Sequence, residues 1–252
     1  MPRRLGQHFL ASQRYQQRIT ETLHLTAADT VLEIGAGRGA MTRWLAERAG
    51  RVIAVELDPP LVAELRRTFA GNPHVEILEG NILTVPLPAG RMRCFGNLPY
   101  YITAPILMRL FEHASQFDEI VVMVQKEVGE RIAAQPGSRD YGLLSVTAQF
   151  YTRPKLMFTI PPGAFQPPPK VESALVRMVV EPRDAANPEF FRLLKVAFAQ
   201  KRKTLYNNLK AAFGAENARR ALERTGIAAS SRAEQLPLER FRELFVALGL
   251  GG

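Results

Sequence analysis

Residues 31–39 read Val-Leu-Glu-Ile-Gly-Ala-Gly-Arg-Gly, an apolar run that breaks into three glycines at alternate positions. The apolar residues predict a buried strand, and Gly35, Gly37 and Gly39 predict a sharp turn where a Cβ would obstruct a ligand. We therefore interpret Gly35 and Gly37 as part of a nucleotide-cofactor loop. The alternative is a strand-to-helix turn that binds nothing.

An acidic residue follows in the next predicted strand, residues 51–58, which read Arg-Val-Ile-Ala-Val-Glu-Leu-Asp. It lies about twenty residues after the glycines, at the ribose-binding position of a βαβ unit. We assign Glu56 as the ligand of both ribose hydroxyls. Asp58 precedes Pro59 and Pro60, so we assign it as the N-cap of the following helix.

Two cofactors suit such a unit, a dinucleotide and S-adenosylmethionine. The glycine spacing is G-x-G-x-G, with Ala40 where the dinucleotide fingerprint has its third glycine or alanine. This spacing favours S-adenosylmethionine only slightly, because alanine is tolerated there. A dehydrogenase therefore stays open as an alternative on these residues alone.

A second motif favours a methyltransferase. Residues 95–101 read Phe-Gly-Asn-Leu-Pro-Tyr-Tyr at the end of a predicted strand, and they resemble the N-L-P-Y motif of adenine-N6 methyltransferases. From about residue 3 to about residue 247, the chain resembles the 16S ribosomal RNA adenine dimethyltransferases. Besides residues 96–100, the segments that carry this resemblance are Gln7-His-Phe-Leu, Gln125-Lys-Glu, Phe165-Gln-Pro-Pro-Pro-Lys-Val and Lys201-Arg-Lys-Thr.

This resemblance implies S-adenosylmethionine as cofactor, and as substrate two adjacent adenosines near the 3′ end of 16S ribosomal RNA in an immature small ribosomal subunit. It also implies that His8 and Leu10 contact the cofactor. Where the family has an aspartate that accepts a hydrogen bond from the cofactor adenine, this chain has Asn81. The asparagine oxygen can still accept that bond. The alternative is that Asn81 only stabilises its own turn.

The adenine amine is a poor nucleophile, because its lone pair is delocalised into the ring. We predict that the Asn97 side-chain oxygen and the Pro99 carbonyl accept the amine protons and so align the lone pair with the sulfonium methyl. Asn97 is assigned to the cofactor site as well. Tyr100 is predicted to stack on the extruded base. The resemblance places Phe165 opposite Tyr100, and a plug between domains is the alternative.

Apolar runs alternate with helical patterns from residue 31 to residue 134, which predicts a doubly wound α/β sheet. The resemblance makes this a Rossmann-like methyltransferase sheet. The predicted strands are 31–35, 51–56, 74–78, 92–96 and 119–125, followed by 155–160 and 174–180 as an antiparallel hairpin. The predicted helices between them are 39–49, 59–69, 103–113 and 126–134.

The chain is predicted to form two domains. Residues 1–182 are assigned to the S-adenosylmethionine-binding domain, and residues 183–252 to a small all-helical domain that contacts RNA or the ribosome. The second segment has thirteen Lys and Arg against seven Asp and Glu, within a chain of net charge +9. We predict that Lys201, Arg202 and Lys203 bind RNA phosphates. The alternative is a solvated helix face.

Composition excludes several other classes. The single cysteine, Cys94, lies in a predicted strand, so we expect a buried thiol and no disulfide or metal cluster. No apolar stretch approaches the roughly twenty residues of a membrane span. The N-terminal arginines are not followed by the apolar segment of a leader peptide. We therefore expect a cytoplasmic monomer without a metal or a membrane partner.

Three related functions stay open on the sequence. The 23S ribosomal RNA methyltransferases of macrolide resistance share the fold and the N-L-P-Y motif, but the segments from Phe165 and from Arg202 resemble the 16S group more closely. A mitochondrial transcription-factor relative is disfavoured, because no transit segment is seen. A non-catalytic assembly factor is the third alternative, and the presence of Asn97 and Tyr100 argues against it.

Overall fold

The computed structural model describes residues 7–181 and 187–251. Contacts divide the chain into two compact units, Met1–Gly129 with Arg153–Glu181, and Glu130–Thr152 with Pro182–Gly252. The predicted domain boundary between residues 182 and 183 lies outside the described residues. Residues 130–152 belong to the second unit, whereas the sequence analysis assigned them to the first domain.

The helices and strands alternate along most of the chain, as the pattern predicts. Up to residue 181 the elements are β1 (Phe9–Leu10), α1 (Gln13–Thr22), β2 (Thr30–Ile34), α2 (Ala40–Ala46), β3 (Arg51–Glu56), α3 (Pro59–Thr68), β4 (Val75–Glu79), β5 (Met92–Asn97), α4 (Thr103–Glu112), β6 (Phe117–Gln125), α5 (Lys126–Ala133), α6 (Leu143–Tyr151), β7 (Thr152–Ile160), β8 (Phe165–Gln166) and β9 (Ser173–Val180). After residue 187 they are α7 (Pro188–Ala197), α8 (Leu205–Phe213), α9 (Ala215–Thr225) and α10 (Leu238–Ala247).

Seven strands form the main sheet in the order β4-β3-β2-β5-β6-β9-β7. The ladders from β4 through β6 are parallel, and β9 runs antiparallel to β6. This confirms the predicted α/β sheet. Because β9 runs in the opposite direction, its first residue, Ser173, lies at the edge where β6 ends and pairs with Gln125. The carboxyl ends of the parallel strands and the start of β9 therefore meet at one edge.

A buried ion-pair network joins the three central strands. Glu119 of β6 is only 1% exposed and pairs with Arg93 of β5 and Arg177 of β9. Arg93 also pairs with Asp29, at 2.9 Å. A lone buried carboxylate would be costly, and two guanidinium partners compensate it. On the same sheet Cys94 is fully buried, as predicted, and burial raises the pKa of its thiol.

The N-terminal segment forms a separate two-stranded sheet with β8. β1 and β8 pair antiparallel, with Phe9 opposite Gln166 and Leu10 opposite Phe165. The helix that follows, α1, buries Ile19 completely, and Leu23 directly after the helix is also fully buried. This pairing joins residues that are more than 150 positions apart in the chain, so no local pattern predicted it.

The second unit is helical and has its own apolar core, in which Tyr141, Phe150, Phe190 and Phe241 belong to one cluster. Helix α6 contributes to this cluster and was not predicted. Four consecutive residues of α6, 145–148, are buried. A helix without an exposed face lacks the 3.6-residue period by which helices are recognised. No helix in the described part of the chain is long and apolar enough to cross a bilayer.

Candidate active site

The glycine loop after β2 bends through left-handed backbone conformations. Gly35, Gly37 and Gly39 have φ of +72°, +60° and +77°, which side-chain-bearing residues rarely adopt. A Cβ on Gly37 would lie 3.0 Å from the ring of Phe9, and a Cβ on Gly39 would lie 2.7 Å from the ring of Phe69 in the α3 region. Gly39 is thus required by packing, and Gly37 is also closely packed, whereas a Cβ on Gly35 would make only an ordinary contact with the Asn97 carbonyl, at 3.5 Å.

Two adjoining clefts open at this edge, and they share Gln7, Gly35, Glu56 and Pro99 in their walls. The first cleft is lined by Gln7, His8, Phe9, Gly35, Gly37, Glu56, Asn97, Leu98, Pro99 and Tyr100. The second cleft is lined by Gln7, Ile34, Gly35, Val55, Glu56, Leu57, Gly80, Asn81, Ile82, Pro99, Tyr101, Ile102 and Ile106. Two adjoining clefts with convergent polar groups suit a nucleotide cofactor beside a reacting group.

Glu56 lies in the wall that the two clefts share, and it is 5% exposed. Its Oε2 accepts a hydrogen bond from the Gly37 N–H at 2.8 Å, and its Oε1 accepts from the N–H groups of Leu57 and Asp58. A carboxylate has about four acceptor sites, so Oε2 is the oxygen with capacity left for a ribose hydroxyl. Glu56 therefore also holds the glycine loop in place.

Asp58 occupies the predicted N-cap position of α3, before Pro59. Its side chain accepts no hydrogen bond from the helix. The predicted N-cap position is therefore confirmed, but the side chain does not form the capping hydrogen bond. The backbone N–H of Asp58 instead donates to Glu56 Oε1, at 3.0 Å. The turn after β3 is thus organised by Glu56 rather than by Asp58.

Glu33 lies two residues before Gly35 and is almost fully buried. Its Oε2 accepts a hydrogen bond from Thr42 Oγ1 at 2.6 Å. Burial is the largest of the effects that set its pKa at about 7; the Thr42 hydrogen bond lowers the pKa and the nearby Glu56 charge raises it. A carboxyl that changes charge near neutral pH therefore lies next to the glycine loop.

Asn97 ends β5 and lines the first cleft. Its Nδ2 donates to the backbone carbonyl of His8 at 3.0 Å. A carbonyl oxygen only accepts, so the amide nitrogen must face His8. The side-chain oxygen of Asn97 is then left as an acceptor for a ligand amine.

The Pro99 carbonyl, which was predicted to accept the second amine proton, is already engaged. It accepts hydrogen bonds from the Ile102 N–H at 3.2 Å and from Thr103 Oγ1 at 3.0 Å. A carbonyl oxygen has two lone pairs, so this prediction needs correction. The carbonyl of Leu98, which also lines the first cleft, accepts no hydrogen bond from the described residues. It is the backbone acceptor still available in this turn.

Tyr100 is half-buried at the first cleft. Its hydroxyl lies 2.8 Å from Ser173 Oγ, and its ring is stacked with that of His8 at a centroid distance of 5.9 Å. Burial raises the pKa of the Tyr100 hydroxyl, and the Ser173 hydrogen bond partly opposes this. His8 is held in turn by a 2.8 Å hydrogen bond between its Nδ1 and the Pro167 carbonyl.

Two predicted site residues lie outside both clefts. Leu10 and Phe165 are each 4% exposed and pack in one apolar cluster. The reason is their pairing opposite each other in the β1–β8 ladder. Phe165 thus packs in an apolar cluster whose residues all belong to the first unit. It does not line the cleft beside Tyr100, where the resemblance placed it. His8 does line the first cleft.

Asn81 lines the second cleft. Its Oδ1 accepts a hydrogen bond from the Leu83 N–H at 3.0 Å, so it stabilises its own turn as the alternative reading held. The cleft wall around it is mainly aliphatic, with Val55, Ile82 and Ile106 among its residues. A mainly apolar slot with Glu56 and the side-chain amides of Gln7 and Asn81 fits an adenosine group, whose base is flat and whose ribose carries hydroxyls.

The predicted RNA-binding cations lie in the loop between α7 and α8, in the second unit. Lys201, Arg202 and Lys203 are all exposed. Lys201 Nζ donates to the Arg139 carbonyl at 2.6 Å. None of the three forms an ion pair within the described residues. All three lie in this loop, so they do not form the helix face that the sequence analysis kept as its alternative.

The sequence analysis missed several residues at this edge. Gln7 lines both clefts, and Phe9 and Leu98 line the first. Gln7, Phe9 and Leu98 lie in the segments that carry the resemblance and were signalled by them, whereas Ser173 had no signal of its own. The described residues contain no group of three His, Cys, Asp or Glu placed to hold a metal ion.

Comparison with known proteins assigns the family. The model of the family described as ribosomal RNA adenine dimethylase matches residues 2–248. The chain belongs to this family. One relative is ribosomal RNA small subunit methyltransferase A of Koribacter versatilis. It is 45% identical to this chain over 98% of this chain and 94% of its own length. The protein of that name from Geobacter sulfurreducens is 43% identical over 98% of this chain and 95% of its own length.

Two solved structures show the same architecture. A dimethyladenosine transferase from Plasmodium falciparum matches with a TM-score of 0.88 and 26% identity, over 96% of this chain and 98% of its own. The 23S rRNA methyltransferase ErmE matches with a TM-score of 0.75 and 25% identity, over 96% of this chain and 99% of its own. The predicted family and fold class are confirmed.

Proposed function

We propose that this chain is an S-adenosylmethionine-dependent enzyme that dimethylates N6 of two adjacent adenosines near the 3′ end of 16S ribosomal RNA. The observation that carries the proposal is the fixed amide of Asn97, whose nitrogen is held by the His8 carbonyl and whose oxygen is left for an amine. The proposed substrate is an immature small ribosomal subunit in the cytoplasm, on which the enzyme acts as a monomer.

The residues of the second cleft fit the adenosine part of S-adenosylmethionine. Glu56 Oε2 would accept from the ribose, and Asn81 would lie beside the base in an aliphatic slot. When bound, S-adenosylmethionine supplies an electrophilic methyl group on a sulfonium. Glu56 holds the glycine loop by its own hydrogen bonds, so the loop is preorganised for the cofactor.

The first cleft prepares the target amine. Asn97 Oδ1 and the Leu98 carbonyl accept its two protons, which favours a pyramidal nitrogen with a localised lone pair. The ring of Tyr100 stacks on the base and orients it. Positioning supplies much of the acceleration of such an in-line displacement, and no strong base is required before transfer.

The names of the relatives favour 16S over 23S ribosomal RNA. The small-subunit methyltransferases A are 41–46% identical to this chain, whereas ErmE, a 23S enzyme, is 25% identical. A non-catalytic assembly factor would have no need for the Asn97 geometry. The 16S assignment is therefore the better supported one.

A gene-deletion strain tests the proposal directly. Mass spectrometry of its 16S and 23S ribosomal RNA should show loss of N6,N6-dimethyladenosine from 16S alone. Wild-type protein should restore the modification, and Asn97→Ala should not. Loss from 23S instead would favour the macrolide-resistance function. Unchanged ribosomal RNA in the deletion strain would contradict the enzymatic proposal.

Phosphate contacts are proposed for Lys201, Arg202 and Lys203, because they are exposed and without a carboxylate partner in the described chain. Replacing all three by alanine should weaken RNA binding and flatten its logarithmic salt dependence by about two to three units. The matched control replaces three cations of the same unit that are already paired with glutamates, namely Arg192, Arg220 and Arg240. An equal change in both triple variants would show only a net-charge effect.

A further inference from the structure

Tyr100 and Ser173 contact each other through their hydroxyls, at 2.8 Å and across 73 positions of sequence. We propose that Ser173 is a positioning residue that fixes the Tyr100 ring for the target base. The proposal rests on the proposed function, because it assigns the Tyr100 ring to base stacking. Ser173 lines neither cleft, so it acts only through Tyr100.

Ser173 is a rigid anchor. It is fully buried and begins β9, where it pairs with Gln125 of β6. The preceding residue is fixed as well, because the Glu172 carbonyl accepts from the Lys126 N–H at 2.9 Å. The antiparallel direction of β9 brings this anchor to the edge where β5 and Asn97 end.

Tyr100 needs an anchor, since it lies outside the sheet. It begins a short 3₁₀ turn, and it is only half-buried. One face of its ring meets His8, with 29° between the ring planes. A half-buried side chain can exchange between staggered rotamers, and a hydrogen bond at the far end of the ring selects one of them.

Loss of the contact should therefore affect the transfer step and leave cofactor binding intact. A single neutral hydrogen bond is modest, so we expect the single-turnover methylation rate to fall about three- to tenfold in Ser173→Ala. Tyr100→Phe should fall by the same factor, because it removes the other half of the same contact. Tyr100→Ala should fall further, because it also removes the stacking ring.

A double-mutant cycle tests the inference on the full-length protein with small-subunit particles lacking the modification. If Ser173 acts through the Tyr100 hydroxyl, the double variant should be no slower than either single variant. A rate equal to the product of the two single effects would overturn the inference, and so would a wild-type rate for Ser173→Ala. No methylation by the wild-type protein would instead overturn the proposed function.

A second readout separates positioning from a general structural effect. RNA with 2-aminopurine at the target position should be quenched by stacking on Tyr100, and less so in Ser173→Ala and Tyr100→Phe. Ser145→Ala is the matched control, because it also removes a buried, hydrogen-bonded hydroxyl but lies in the second unit. It should leave quenching unchanged. Equal loss of quenching in Ser145→Ala, or full quenching in Ser173→Ala, would contradict the role.

Discussion

The two clefts of the active edge differ in the atoms that line them. The first cleft presents polar groups that the protein itself orients, namely the Asn97 amide and the Tyr100 hydroxyl. The second cleft is mainly aliphatic, with Asn81 at one side. Glu56 belongs to both. Under the proposed function, the first cleft would hold the target amine and the second the cofactor, so substitutions in the two clefts should affect catalysis and cofactor binding separately.

The largest effect is expected at Asn97, which lines only the first cleft. Asn97→Ala removes an acceptor aligned with the reacting amine, so the single-turnover rate should fall about 10²- to 10³-fold, as for the loss of one oriented donor in other enzymes. Calorimetry should show little change in S-adenosylmethionine affinity. Near-normal turnover would show that the first cleft does not prepare the amine.

Asn97→Asp sharpens this result, because it keeps an acceptor oxygen and loses the donor to His8. A carboxylate facing the His8 carbonyl is repelled, so this variant should also be strongly impaired. Activity close to that of the wild type would show that the 3.0 Å contact with His8 does not orient the side chain.

Glu56→Ala should weaken cofactor binding by about 1.5–3 kcal/mol, because it removes a charged acceptor. It should also lower the thermal stability, since three backbone N–H groups lose their acceptor. Calorimetric titration and thermal unfolding measure the two effects. The neighbouring acid provides the control: Asp58→Ala should leave cofactor affinity unchanged. Equal losses in both variants would mean that general negative charge, and not Glu56, binds the ribose.

The stability of the fold should depend on pH through Glu33, which is buried next to the glycine loop. Its pKa in the folded protein is about 7 against an ordinary value of 4.5, so the folded state binds more protons and stability falls as pH rises between these values. Glu33→Gln removes this loss and should raise the unfolding free energy at pH 8 by about 1–3 kcal/mol. Denaturant unfolding at pH 5 and pH 8 measures it. The exposed Glu47→Gln is the control, and an equal pH profile in both would contradict burial as the cause.

The smallest effect is expected at Asn81. In the Asn81→Asp variant, one carboxylate oxygen can still accept the hydrogen bond from the Leu83 N–H. The other oxygen can accept a hydrogen bond from the adenine amine, whereas the asparagine side chain has an NH₂ donor at that position. Affinity for S-adenosylmethionine should rise, by less than about 1 kcal/mol. Asn72 makes the same kind of turn with His74 and lines neither cleft, so Asn72→Asp should change nothing. Weaker binding in Asn81→Asp would remove this residue from base recognition.

The sequence by itself determined the sheet, the positions of most helices and the edge at which the two clefts lie. Alternating apolar runs and helical periods are local properties, and Gly35, Glu56, Asn81 and Asn97 were placed correctly because each follows or ends a strand of this kind. The motifs were also sufficient to identify the family. They were not sufficient to show which atoms bind a ligand, so the functional assignments of Gly35, Glu56 and Asn97 stay predictions until tested.

Only the tertiary structure decided which atoms are left for ligands. The Pro99 carbonyl is consumed by Thr103 and the turn, and the pairing of Leu10 with Phe165 buries both. Ser173 reaches Tyr100 because β9 runs antiparallel to β6. Such contacts join residues distant in sequence, and their geometry depends on strand order and register. A local sequence pattern contains no information on strand order or register. The free hydrogen-bond acceptors and the contact between Ser173 and Tyr100 can therefore be identified only in the folded structure.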